Sequence, residues 1–303
     1  MPTDIEWFGC STYRLTIGDM TVFLDAYLDR PDTAPDVGLR TSEVTTCDFI
    51  LIGHSHWDHL WGAETILRNT NATIIGSYET ARVMIEEEGI PEDRVLPVSG
   101  GEEIRLNDEV SVQVFPSLHS CIWAPTTAGL GDMSDVCSGD LGVFHQDRLE
   151  LLSQRLRRGE LGGTASSAMP WDHQTPRGDG GALCYLIKTP EGNIFYKDTM
   201  GHYSSILEEI TPDVALLAAA GRGNIDGEPI QGSGIDFLLK ELTALDPSEL
   251  ILGHYDDFSG SGLPALQDLS PVHGALRQFE SKVNLHELEF NEKLSLFSSE
   301  YRT

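Results

Sequence analysis

Four side chains able to bind a metal crowd into six positions at His54-Ser55-His56-Trp57-Asp58-His59, directly after the apolar run Phe49-Ile50-Leu51-Ile52-Gly53. Such a run reads as a buried strand. A tight turn after a rigid strand aims these side chains at one or two points in space. Histidine is the commonest metal ligand, and imidazole with carboxylate suits zinc, iron and manganese. Two neighbouring ions need more ligands than one helix face offers, and this motif begins to supply them. Clusters of this kind mark metal or catalytic sites.

Later segments repeat the arrangement. The alternating run Val110 to Phe115 reads as a strand, and His119 follows it. Asn193 to Lys197 is a strand followed by Asp198, and Leu250 to Gly253 is a strand followed by His254. Five of the 10 histidines fall in this pattern, each near the end of an apolar element. Strand ends along one sheet edge are where α/β proteins place their chemistry.

The order H-x-H-x-D-H, then His, then Asp, then His resembles the metallo-β-lactamase superfamily, over nearly the whole chain. The opening Ile5 to Leu15 with Val22 to Asp25, and the Gly180 to Ile187 segment, look like the branch that includes the ascorbate-6-phosphate lactonases. The resemblance implies an α/β chain folded as a four-layered αββα sandwich, one domain over residues 1–303 built from two similar halves. It implies that His54, His56 and His119 hold one divalent ion. Asp58, His59 and His254 would hold a second, with Asp198 bridging. Zinc heads the expectation, and manganese and iron also suit the ligands. The nucleophile implied is a hydroxide between the ions, oriented by Asp58. Asp25 reads either as the partner that fixes a histidine tautomer or as a turn residue. Trp57 stands where relatives often carry a small apolar residue, and packing beneath the turn is the favoured reading.

The segment at about 120–180 lies between two ligands and reads as a lid or pocket wall around a helix at Leu141 to Arg158. A long loop in a compact domain is usually functional or mobile; an oligomer contact is the competing reading. Trp123, Trp171 and His173 are its candidate substrate contacts, and His173 and His145 are also candidate proton donors. His202, four positions after Asp198, is a candidate to stabilise an oxyanion or protonate a leaving group. Arg222 is a candidate for an anionic substrate group. Cys121, near His119, reads as buried rather than ligating.

Helices are expected at Leu60 to Arg68, Tyr78 to Glu88, His202 to Ile210, Ile235 to Leu245 and Val272 to Phe279. A formal net charge of -28 makes nucleic acid and anionic membranes poor partners. The acidic, non-apolar start and an odd cysteine count of 5 fit a cytoplasmic protein without a membrane span. A small-molecule substrate is therefore expected, and a homo-oligomer is compatible with the composition. The leading function is a metal-dependent hydrolase opening an ester-like bond, a lactone or phosphoester, in a small polar molecule. The alternatives are an iron-dependent oxidoreductase resembling a mononuclear dioxygenase, or a non-catalytic binding protein.

Overall fold

A computed structural model describes residues 2–121, 123, 141–157, 177–260, 262, 265–279 and 282–297. Its first sheet contains β1 (Thr3–Trp7), β2 (Tyr13–Ile17), β3 (Met20–Leu24), β4 (Phe49–Leu51), β5 (Thr73–Ser77), β6 (Val95–Val98) and β17 (Lys293–Ser295), in the order β17-β1-β2-β3-β4-β5-β6. The second contains β7 (Glu103–Arg105), β8 (Ser111–Pro116), β9 (Leu183–Lys188), β10 (Asn193–Lys197), β12 (Val214–Ala218), β15 (Glu249–Gly253) and β16 (Asn284–His286), in the order β16-β15-β12-β10-β9-β8-β7. A small third sheet joins β11 (Gly201–His202), β13 (Asn224–Ile225) and β14 (Glu228–Pro229).

The burial of each strand follows from its sequence. Strands β1 and β2 alternate buried and half-buried residues, as an antiparallel hairpin with one covered face requires. Strand β12 is Val-Ala-Leu-Leu-Ala, buried throughout and paired in parallel on both edges. That is the composition of a strand covered on both faces. Ile5, Trp7, Leu15 and Leu24 of the first sheet join Val112, Tyr185, Phe195 and Leu216 of the second in one core. Outside the first sheet, Ile66 and Leu67 of the helix Ala63–Asn69 and Ala81 of the helix Tyr78–Arg82 pack with Ile50, Ile52 and Ile74. Outside the second, the helix Gly234–Leu245 presents Leu238, Leu242 and Leu245 at helical spacing. Helix, sheet, sheet and helix make the four expected layers.

Strand direction brings the chemistry to one edge. Strands β3 and β4 are parallel, as are β10, β12 and β15. Both β8 and β10 are antiparallel to β9, so they run the same way. Asp25, His54, His119, Asp198 and His254 all follow the C-terminal ends of these strands.

Several local expectations need correction. The helix expected over Tyr78 to Glu88 is α-helical only to Arg82, and Val83–Glu87 forms a π turn. The wider turn, closed by Glu88 N–H on the Val83 carbonyl, accompanies burial of both Met84 and Ile90. Likewise the expected helix at His202 begins only at Ser204, because Gly201 and His202 pair with Asn224 and Ile225. Asp226 then accepts from the Ser204 N–H at 2.8 Å and supplies the helix start. The apolar run Val214 to Gly221, which reads as a strand leading to Arg222, is a strand only to Ala218, so Arg222 lies in the following loop. Among the described residues, no helix is long and apolar enough to cross a membrane.

Candidate metal centre

The turn after β4 folds as a strand-to-helix corner. His56 is the extended residue before the short helix Trp57–Leu60, which places Asp58 and His59 on its first turn. Gly53 and Gly180 leave room for the corner. A Cβ on Gly53 would overlap the Asp198 carboxylate, and one on Gly180 would sit 2.7 Å from the Ser55 nitrogen.

Three groups of ligating atoms gather here, each with its members within 4.8 Å of one another. His54, His56 and His119 form the first; His54, His59 and Asp198 form another; Asp58, His59 and His254 form the third, together with Cys10. All seven residues singled out as ligands therefore converge. Cys10 joins them without having been singled out.

Hydrogen bonds set the tautomers of the first group. His54 Nδ1 donates to Asp198 Oδ2 at 2.5 Å, and His119 Nδ1 lies 3.0 Å from the Ser120 carbonyl and 3.1 Å from the Ser120 hydroxyl. With the Nδ1 proton on both rings, the lone pairs are on Nε2, and the two Nε2 atoms face each other at 3.1 Å. Burial holds both rings neutral, driving His54 well below its ordinary value and His119 down to about 3. Two lone pairs at that distance repel unless a cation lies against them. Asp198 Oδ1 is buried without a hydrogen-bond partner, which leaves a further lone pair for an ion. The donor set thus fits divalent metal.

The second group is organised by carboxylates. Asp58 Oδ2 lies 3.6 Å from His59 Nε2 and 3.4 Å from His254 Nε2. Burial works against the His59 imidazolium, but Asp58, Asp25 and Asp198 outweigh it and raise His59 to about 10. Burial would raise Asp58, yet the facing histidines hold it below the ordinary carboxylate range. A proton on His59 thus balances the negative charge of these carboxylates. Asp198 Oδ2 is 3.3 Å from His59 Nδ1 as well as bonded to His54, so it touches both groups.

The surrounding candidates divide. His202 is buried, and its Nδ1 donates at 3.0 Å to Glu241, which also pairs with the buried Lys197 at 2.9 Å. Glu241 was missed because it lies mid-helix, where a lone acid signals nothing. Trp57 packs edge-on against Tyr27 at 5.2 Å and against Phe258 at 5.8 Å. The Trp123 ring carries the Arg148 guanidinium 4.9 Å above it, and Arg148 pairs with Glu228 at 3.0 Å. Arg222 is half-buried, and its carbonyl accepts from the Cys121 N–H beside His119. Cys121 is itself buried, and His145 opens the helix His145–Arg157. Trp171 and His173 lie outside the described residues.

A beta-lactamase superfamily domain model matches residues 21–154. A protein from Pyrobaculum islandicum called a UPF0173 metal-dependent hydrolase is 34% identical over 153 residues, which is 50% of this chain and 66% of that protein. The chain spans about half to two thirds of the length of the curated relatives it matches first. Among solved structures, a protein described as a possible metal-dependent hydrolase from Veillonella parvula superposes with a TM-score of 0.62 at 15% identity, covering 98% of this chain and 100% of its own. Igni18, described as a novel metallo hydrolase from Ignicoccus hospitalis, gives 0.59 at 16% identity and covers 98% and 99%. Likeness at such identity speaks for the fold alone. Taken with the matched domain and the curated relatives, it gives the chain the metallo-β-lactamase fold.

Proposed function

We propose that this chain is a metal-dependent hydrolase that holds two divalent ions and opens an ester-like bond, a lactone or phosphoester, in a small polar molecule. The observation that carries the reading is the convergence of the seven His and Asp ligands, with Nε2 of His54 and Nε2 of His119 3.1 Å apart in a buried site. His54, His56 and His119 would hold one ion. Asp58, His59 and His254 would hold the other, and Asp198, in contact with both groups, would bridge them. Zinc suits these donors best, with manganese and iron also accepted. Such ions, when bound, draw a nucleophile from water at neutral pH and polarise the substrate oxygen.

The chain's own residues do the rest. Asp58 orients the attacking water, since its carboxylate is fixed between His59 and His254. Glu241 accepts from His202 Nδ1, so that Nε2 is turned away from it; as an imidazolium paired with Glu241, His202 would give the Nε2 proton to the leaving oxygen. Arg222 suits an anionic group on the substrate. The lactonase-like branch resemblance, and the names of the curated relatives, support hydrolysis over the alternatives.

Elemental analysis of protein purified without added metal, followed by a screen of lactones, phosphodiesters and thioesters, tests the reading. About two equivalents of ion per chain and turnover of one class are expected. A single tightly bound ion, unchanged in His254→Ala, would reject the dinuclear site. Iron alone with no hydrolysis would favour the oxidoreductase.

A further inference from the structure

We infer that Cys10 is a further protein ligand of the second ion, so that this ion is held by sulfur as well as by Asp58, His59, His254 and the bridging Asp198. The inference rests on the two-ion reading above. Ligating atoms of Cys10, Asp58, His59 and His254 all lie within 4.8 Å of one another, and all four residues are buried. No other cysteine enters a ligand cluster among the described residues: Cys47, Cys121 and Cys184 are buried elsewhere.

The backbone around Cys10 is built to hold the thiol there. Gly9 and Cys10 both adopt left-handed conformations, with φ of 73° and 47°. This conformation is costly for a residue with a side chain and persists only where the surroundings enforce it. Three contacts do so. The Cys10 N–H donates to Asp256 Oδ1 at 2.8 Å, the Trp7 indole N–H donates to the Cys10 carbonyl at 3.0 Å, and the His254 N–H donates to the same carbonyl at 2.6 Å. His254 is also left-handed, with φ of 63°. Two proposed ligands are therefore clamped to each other through their backbones, although 244 positions separate them in the chain. Asp256 is fixed in turn by Arg30 at 2.5 Å. The Cys10 thiol donates to the Asp58 carbonyl at 3.2 Å.

A structural thiol would need only a place among apolar side chains. Instead, Cys10 stands among three donors suited to zinc. On binding, an Sγ–metal bond replaces the Sγ–H bond and one proton leaves to solvent. A sulfur ligand biases the second position toward zinc or iron and away from manganese, which prefers oxygen.

The wild-type chain loaded with two equivalents of zinc tests this by X-ray absorption. A sulfur shell at about 2.3 Å is expected, and a spectrum fitted by nitrogen and oxygen alone would overturn the proposal. Cobalt(II) loading gives a second readout. A sulfur-to-cobalt charge-transfer band should be present in the wild type and absent in Cys10→Ser, with the second equivalent bound at least about tenfold more weakly. Persistence of the band in Cys10→Ser would place the sulfur elsewhere and sink the assignment. A chain that binds neither metal would overturn the two-ion reading and this one with it. A chain that binds two ions without a sulfur signature would overturn only the role of Cys10.

Discussion

The Asp25 carboxylate lies 2.6 Å from His59 Nδ1, and both side chains are buried. The second Asp25 oxygen accepts from the Gly53 N–H at 2.9 Å. One carboxylate at the end of β3 thereby orients a histidine of the centre and ties down the corner that carries it. Metal-bound histidines commonly give their other N–H to such a carboxylate, which fixes the ring and raises its basicity. Asp25→Asn should leave the fold in place and weaken binding of the proposed second ion by about 10–100-fold. Titration against a competing chelator measures this; unchanged affinity would show that packing alone orients His59.

Gly53 marks how closely the two sheets approach at the site. A Cβ there would meet the Asp198 carboxylate, and Asp198 has no room to retreat because it is fully buried. Gly53→Ala should cost roughly 1–3 kcal/mol of stability and reduce metal content. Chemical denaturation with elemental analysis reads both effects.

Arg30 and Asp256 form an ion pair whose side chains are 3% and 0% exposed. Removing one partner of a buried pair leaves the other charge uncompensated, a loss of about 3–5 kcal/mol. Arg30→Leu should show this in urea unfolding. A loss below 1 kcal/mol, on the order expected for a surface pair, would mean that Asp256 is satisfied by Cys10 alone.

The metal-free protein should lose stability as pH rises from about 7 toward 10. His59 is raised to about 10, above its unfolded value of about 6.5. Its contribution is complete below the unfolded value and is lost as pH climbs through the folded one. The slope from this group is at most about 1.4 kcal/mol per pH unit. Thermal melts of chelator-treated protein at pH 7 and 9 should show the fall, and His59→Gln should flatten it. A melting temperature that rises over this range would contradict the charge assigned to His59.

Arg222→Ala should impair an anionic substrate selectively, by about 1.5–3 kcal/mol in kcat/KM, and spare a matched neutral one. Steady-state kinetics on such a pair decide the matter. Equal effects on both, or none, would leave Arg222 as a loop residue.

Much of this protein can be read locally. The apolar runs ending in His54, Asp198 and His254 identify themselves because strand periodicity and burial are properties of a few consecutive residues. The order of the candidate ligands along the chain carries the resemblance to the metallo-β-lactamase superfamily, and the four-layered sandwich matches the expectation. Local pattern is weaker where a distant segment competes. His202 sits in a sequence that reads as helix, but pairing with Asn224 and Ile225 draws it into a strand. The π turn after Arg82 goes with packing of Met84 and Ile90, which periodicity alone does not report.

Contacts between remote segments lie beyond such reading. Cys10 meets the centre because the His254 N–H bonds to its carbonyl and Asp256 holds its N–H. Glu241 acquires a role because its helix lies on the second sheet, where its carboxylate meets both Lys197 and His202. Each arrangement depends on chain direction and sheet order, and no spacing within the sequence encodes either distance. Strand and turn chemistry supply the candidate ligands one segment at a time; closure of the two sheets decides which of them meet.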